Sequence, residues 1–206
     1  VKTIVCIGDS IVEGEGDASG FDGWVGRLRD RLDFNHGADA PGWRVFNLGV
    51  GGDTIRDIGY RLGELLIRGP HIVVLGCATN DVARYTEPTG EQPKMSDSHR
   101  LKYWPLVVEK LKAICPQLLV TPGMYIEEDF INEDGGGVRK ALLDDHIKFI
   151  GQTAKAHQAE FVELDDSFGS KKLRAHGVHW NEAGYDKLAN LIIDKLDDLG
   201  WLKEGK

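Results

Sequence analysis

The chain has 206 residues, of which 41% are hydrophobic and 28% charged, and its formal net charge is -8. This length suits one domain over residues 1–206, with enough core to fold without disulfides or metals, and the composition favours a soluble globular chain over a disordered one. The acidic balance argues against nucleic acid or an anionic membrane as partner, because phosphate binding needs clustered Lys and Arg.

Cys6, Cys77 and Cys115 are far apart and odd in number, so neither a disulfide framework nor a zinc knuckle is indicated. Cys6 and Cys77 fall in apolar runs and read as small core residues. No apolar run approaches the ~20 residues of a membrane span, and the first residues do not resemble a signal peptide. A cytoplasmic location is the default expectation. The first residue is Val rather than Met, which leaves removal of an upstream segment open.

Taken in order, residues 4–7 form a continuous apolar run stopped by Gly8 and predict a buried strand. Trp24, Val25, Leu28 and Leu32 share one helical face. Residues 44–48 predict a second strand, stopped by Gly49. Ile55, Ile58, Leu62, Leu65 and Leu66 predict a helix capped by Asp53 or Thr54. Residues 72–75 predict a third strand between Pro70 and Gly76. Leu106, Val107, Leu111 and Ile114 predict a helix ended by Pro116, and residues 118–120 a fourth strand. Leu142, His146, Phe149 and Ile150 predict another helix, residues 161–164 a fifth strand, and Leu188, Leu191, Ile192 and Leu196 the last helix. Residues 86–93 and 127–137 are rich in Gly, Pro and Asp and read as surface loops. Strands alternating with helices imply an α/β fold, a parallel sheet with helices on both faces. Ligands of such sheets bind beyond the carboxyl ends of the strands, so the residues there carry the functional reading.

Four segments stand out. Gly8-Asp9-Ser10, with Gly14 beyond it, follows the first strand. A serine there can be an exposed nucleophile, or Asp9 and Ser10 can simply cap a helix. A phosphate loop is disfavoured, since the glycine and lysine patterns are absent and Glu13, Glu15 and Asp17 would repel an anion. After the second strand, Gly49, Gly51 and Gly52 lead to Asp53 and Thr54. Backbone N–H groups of such a loop can approach a developing oxyanion, or the loop can be an ordinary turn. After the third strand come Ala78, Thr79, Asn80 and Asp81. Asn80 can polarise a carbonyl, or it can pair with Asp81 as a turn and cap. Near the end, His176-Gly177-Val178-His179 precedes the last helix, and His179 could serve Ser10 as general base.

Ser10, Gly52, Asn80 and His179 occur in that order, each beside a predicted strand end or helix start. In this the chain resembles the SGNH hydrolases, also called GDSL-like esterases and lipases, from Gly8 to the final helix. The resemblance implies a three-layer α/β/α sandwich of flavodoxin-like arrangement around a central five-stranded, mainly parallel sheet. It also implies an acyl-enzyme on Ser10, with no metal and no cofactor. On this pattern the oxyanion is held by the N–H groups of Ser10 and Gly52 and by the Asn80 amide. The expected partner is a small-molecule ester, with the oligomeric state left open.

Two departures from the family pattern matter. Ala78 stands where the third block usually has glycine. More seriously, His176 stands where the acid that orients the base is usual. Replacing that acid by a neutral amide costs about 10⁴-fold in a well-studied protease. Three explanations are open: a Ser–His dyad with a backbone carbonyl orienting His179; another acid, such as Asp165 or Asp166; or a weakened or inactive chain, by divergence or because His176 was introduced. Short acyl groups, O-acetylated carbohydrate among them, fit the lack of a long apolar lid. Tyr125, Ile126, Phe130 and Ile131 could wall the pocket or pack on one another. The competing readings are a non-catalytic ligand-binding relative, a flavodoxin-like phosphate binder, and a metal site on His176 and His179, for which the sequence offers no evident third ligand.

Overall fold

Ile4, Val5, Cys6 and Ile7 have no exposed surface, as a strand covered on both faces requires. They belong to β1 (Lys2–Gly8), which leads into the one-turn helix α1 (Ser10–Glu13). Next come α2 (Gly23–Phe34), β2 (Trp43–Gly49), α3 (Ile55–Tyr60), α4 (Gly63–Arg68), β3 (Ile72–Gly76) and α5 (Thr79–Val82). Then follow β4 (Arg84–Glu87), β5 (Gly90–Pro93), α6 (Asp97–Ile114), β6 (Leu118–Thr121), β7 (Phe130–Ile131) and β8 (Gly137–Val138). The chain ends with α7 (Lys140–Ala156), β9 (Glu160–Phe161), β10 (Arg174–His176), β11 (His179–Trp180) and α8 (Glu182–Asp198). The computed structural model describes residues 1–34, 42–87, 90–133 and 135–203.

The central sheet has five parallel strands in the order β2-β1-β3-β6-β9. The chain first steps outward from β1 to β2, then back past β1 to β3 and onward. Right-handed crossovers therefore place α2 on one face and α3, α4, α6 and α7 on the other. The packing agrees: α2 lies against α8, while α3 packs on α6 and α6 on α7. The reversal falls between β1 and β3, and a crevice opens there at their carboxyl ends. Gly8 and Gly76 face each other at that point. A Cβ on Gly8 would lie 1.9 Å from the Gly76 carbonyl oxygen, so no other residue fits.

The five expected strands are present, although the last is regular only over Glu160–Phe161. Other expectations need correction. The helix expected over residues 55–66 is two helices, α3 and α4, because the Arg61 N–H bonds to Ile58 O and breaks the four-residue ladder. The turn rotates Leu66 out to 66% exposure, whereas Leu62 and Leu65 stay buried. Thr54 is the N-cap, and its N–H and hydroxyl both donate to the Asp57 carboxylate. The third expected helix starts earlier, at Asp97 with Ser96 as cap, and leaves Leu106 exposed.

The two stretches read as loops carry a small antiparallel sheet, β5-β4-β8-β7. Arg84 pairs with Gly137, and Phe130 with Val138. The two stretches follow the neighbouring strands β3 and β6, so they emerge side by side. Pairing across that gap leaves no local periodicity.

Candidate active site

Ser10 opens α1 directly beyond β1 and is 7% exposed. Asp9 caps the helix by accepting the Ile11 N–H at 3.0 Å. The cap and nucleophile readings of this segment are thus compatible, although Ser10 is buried rather than exposed: the cap holds the serine at the mouth of the sheet. Burial pushes the Asp9 carboxyl up to about 7, against the pull of the Ile11 N–H.

His179 reaches Ser10 from the far end of the chain. β10 and β11 form an antiparallel hairpin in which His176 and His179 stand directly opposite each other. Gly177, in the left-handed region at φ 53°, makes the turn. Trp180 is fully buried and donates to the Gly123 carbonyl at 2.8 Å, which anchors the hairpin. The loop after α1 packs against it at Gly16, where a Cβ would lie 2.7 Å from the Trp180 carbonyl oxygen. The result is a hydrogen bond of 2.9 Å between Ser10 Oγ and His179 Nε2.

The other side of the imidazole is bare. His179 Nδ1 is buried and has no hydrogen-bond partner among the described residues. Among the described residues no backbone carbonyl takes it. Asp165 instead caps a short 3₁₀ turn at Ser167, and Asp166 accepts the Tyr125 hydroxyl at 2.6 Å. His176 is exposed, with its ring centre 5.0 Å from that of His179. The nearest carboxylate lies on the wrong nitrogen, with Glu15 Oε2 3.2 Å from His179 Nε2. Burial holds the His179 pKa below its usual value and His176 adds to this, while Glu15 opposes it. The direction of the shift favours the neutral imidazole that a general base needs.

The glycine loop and Asn80 complete the mouth. Gly51 borders the nucleophile, since a Cβ there would lie 4.0 Å from that of Ser10. Gly52 is in the left-handed region at φ 84°. Among the described residues the N–H groups of Ser10 and Gly52 donate to no protein acceptor. Asn80 Nδ2 donates to the Asp53 carbonyl at 3.1 Å, which braces the loop against α5. Ala78 has φ -168°, outside the left-handed region that favours glycine.

Lys94, which sequence reasoning passed over, and Asp81, which it read as a turn and cap beside Asn80, hold this arrangement. Lys94 donates to the Gly52 carbonyl and, at 3.3 Å, to Asn80 Oδ1, so a cation sits behind the glycine loop. Asp81 is fully buried and accepts from Ile55 N at 2.8 Å, Trp104 Nε1 at 2.6 Å and His146 Nε2 at 3.0 Å. It joins α3, α5, α6 and α7 beneath Asn80. Burial holds the His146 pKa down, although Asp81 pulls it up. The only sequence signal was a histidine on the buried face of α7. Of the expected pocket wall, Ile126 is fully buried and Tyr125 bonds Asp166, while Phe130 packs under the hairpin turn, 3.3 Å from where a Gly177 Cβ would be.

A parallel α/β sheet of order β2-β1-β3-β6-β9, with a hydrogen-bonded serine and histidine at its switch point, is the framework of a hydrolase. The GDSL-like lipase/acylhydrolase family model matches residues 6–187, and the chain belongs to that family. Among solved structures it is similar to a lipase/acylhydrolase from Enterococcus faecalis, at 20% identity over 100% of both chains with a TM-score of 0.77. An acetylxylan esterase from Geobacillus stearothermophilus is 23% identical over 95% of this chain and 94% of its own, with a TM-score of 0.69. TesA is 24% identical over 96% and 99%, with a TM-score of 0.68. Two further structures of the Geobacillus esterase are described as catalytic mutants, one at an aspartate and one at a histidine three positions later. A comparison with curated protein sequences found no match.

Proposed function

We propose that the chain is a serine esterase that cleaves short-chain or acetyl esters through an acyl-enzyme on Ser10, and that it turns over slowly because His179 lacks its acid. Ser10 Oγ attacks the ester carbonyl carbon while His179 Nε2 takes its proton. The oxyanion is held by the Ser10 and Gly52 N–H groups and by Asn80 Nδ2, which exchanges its bond to Asp53 for one to the substrate. The tetrahedral intermediate collapses as His179 returns the proton to the leaving alcohol oxygen. Water then repeats the sequence and frees the carboxylic acid.

The observation that carries this reading is the 2.9 Å bond from Ser10 to His179, combined with the unpartnered Nδ1 behind it. Among the described residues no carboxylate meets that nitrogen of the imidazolium formed in each step. Glu15 supplies negative charge on the Nε2 side instead. It stabilises the imidazolium but competes with the leaving group for the same proton. The spacing of the two mutated residues in the Geobacillus esterase is the spacing of His176 and His179, which supports His176 as the position of the missing acid.

Glu13 and Glu15 border the serine, so an uncharged ester is favoured over an anionic one. O-acetylated carbohydrate fits that requirement and agrees with the acetylxylan esterase likeness. Intact-mass labelling with a fluorophosphonate tests the nucleophile. One adduct that disappears in Ser10→Ala supports the esterase. A folded parent that takes no label would overturn it in favour of a non-catalytic ligand-binding relative.

A further inference from the structure

His176 does more than remove an acid. Glu15, His176 and His179 each offer one ligand atom, and these three atoms lie within 4.8 Å of one another, the one such group among the described residues. We propose that this cluster is a binding site for a divalent transition-metal ion, Zn²⁺ foremost, and that the bound ion silences Ser10. The binding stands on the ligand geometry alone, whereas the silencing rests on the Ser10–His179 reading above.

The donor chemistry points to this class of ion. Two imidazoles and a carboxylate with an open fourth position are a ligand set zinc accepts, while Mg²⁺ and Ca²⁺ ask for oxygen alone. Tetrahedral bonds of about 2.0–2.1 Å place neighbouring ligand atoms roughly 3.3 Å apart. Glu15 Oε2 and His179 Nε2 are already 3.2 Å apart. His176 is His179's direct partner across a hairpin, and directly opposed residues point to the same face of the ribbon.

The scaffold is fixed while the approach is open. The Tyr185 hydroxyl donates to the Glu15 carbonyl at 2.6 Å, and Tyr185 is fully buried. Asp17, two residues on, is paired with Arg27, and both side chains are nearly inaccessible to solvent. Trp180 pins the hairpin on the other side. By contrast, the Glu15 side chain is 46% exposed and His176 is exposed, so an ion can enter from solvent and two of the three ligands can adjust to it. Sequence alone gave two ligands without a third; the loop after α1 supplies it.

The consequence for catalysis follows from one lone pair. His179 Nε2 cannot bind a metal and accept the Ser10 proton at the same time. A bound ion therefore removes the base reversibly, and no bond in Ser10 is changed.

The test uses metal-stripped protein titrated with Co²⁺, read by visible d–d absorption, and with Zn²⁺, read by calorimetry. The parent, Ser10→Ala, Glu15→Ala and His176→Ala are compared. One ion per chain is expected, bound alike by the parent and Ser10→Ala and at least about tenfold more weakly by the other two, since even groups behind metal ligands are worth that much. Glu15 and His176 are exposed, so both variants should fold, and circular dichroism checks this. Saturating Zn²⁺ should cut fluorophosphonate labelling of the parent at least tenfold, with EDTA restoring it. A parent without a one-to-one site, or alanine variants that bind as tightly as the parent, would overturn the site. Undiminished labelling of the zinc-loaded parent would overturn the silencing. A metal-free parent that never labels would sink the Ser10 reading instead, and the cobalt spectrum would still decide the site.

Discussion

Replacing His176 by Asp should restore the missing charge behind His179. A carboxylate at hydrogen-bond distance from Nδ1 lies about 4 Å from the centre of the imidazolium charge. At an effective dielectric of about 20 the attraction is about 4 kcal/mol, and twice that dielectric, for a position as open as 176, leaves about 2 kcal/mol. At 1.36 kcal/mol per decade this corresponds to roughly 30- to 1,000-fold in rate. It is less than the ~10⁴-fold lost when a buried triad acid becomes an amide, as an exposed position requires. The new carboxylate also accepts from a buried N–H that has no partner among the described residues, and it fixes the tautomer with the lone pair on Nε2.

The assay is kcat/KM on a small acetyl ester, with EDTA present so that no ion occupies the site. His176→Asn serves as control, because it can accept the hydrogen bond without supplying charge. The Asp variant should exceed the parent at least tenfold, and the Asn variant should fall well short of it. If His176→Asp were no faster on an ester the parent cleaves, the missing-acid reasoning would be wrong. If the Asn variant matched it, orientation rather than charge would be the defect.

Asn80→Ala should lower kcat about 10²-fold, the usual loss for one oxyanion donor, and a drop under threefold would leave Asn80 only its bond to the Asp53 carbonyl. Asp81→Ala strands three buried donors and should cost roughly 3 kcal/mol or more, which for a chain of this size lowers Tm on the order of 10 °C; a melt within about 2 °C of the parent would refute Asp81 as the brace. Asp17 should give acid sensitivity. Burial raises its pKa, but hydrogen bonds from Arg27 and Ser19 outweigh this and bring it down from 3.8 to about 2. A depressed carboxylate contributes above its unfolded pKa, so about 2 kcal/mol is present above pH ~4 and is lost as pH falls toward ~2. Urea unfolding at the two ends of that window should show a smaller loss for Asp17→Asn than for the parent; equal losses would refute the assignment. Asp9 should act in the opposite direction. Its raised pKa means that folding favours the protonated form, so stability falls as pH rises from about 4 to 7. Asp9→Asn keeps an acceptor for Ile11 N–H and should flatten that decline, and a slope unchanged in the variant would argue against it.

The sequence by itself determined the central sheet and the order of its chemistry. Runs such as residues 4–7 and 72–75 are apolar because parallel strands are covered on both faces, and that property is local. The glycines at their ends, with Ser10, Asn80 and His179 just beyond, mark positions where the chain must turn and side chains can meet a ligand. Local pattern failed where partners are distant. The sheet β5-β4-β8-β7 joins two stretches separated in the chain by the whole of α6 and β6, and neither shows a strand period of its own. Lys94 came to the glycine loop only because that sheet exists to bring it back. Asp81 looked like a cap, and its role as a buried acceptor arises from Trp104 and His146 on two other helices. The resemblance of the sequence to the family also raised the expectation of an acid at the position of His176. Only the tertiary structure decided that no described residue meets Nδ1 of His179, and that Glu15 instead comes to Nε2. The physical reason is that hydrogen bonds and metal ligation depend on distances of a few ångström between groups, and in a parallel α/β fold those distances are set by crossovers and loops far apart in the chain.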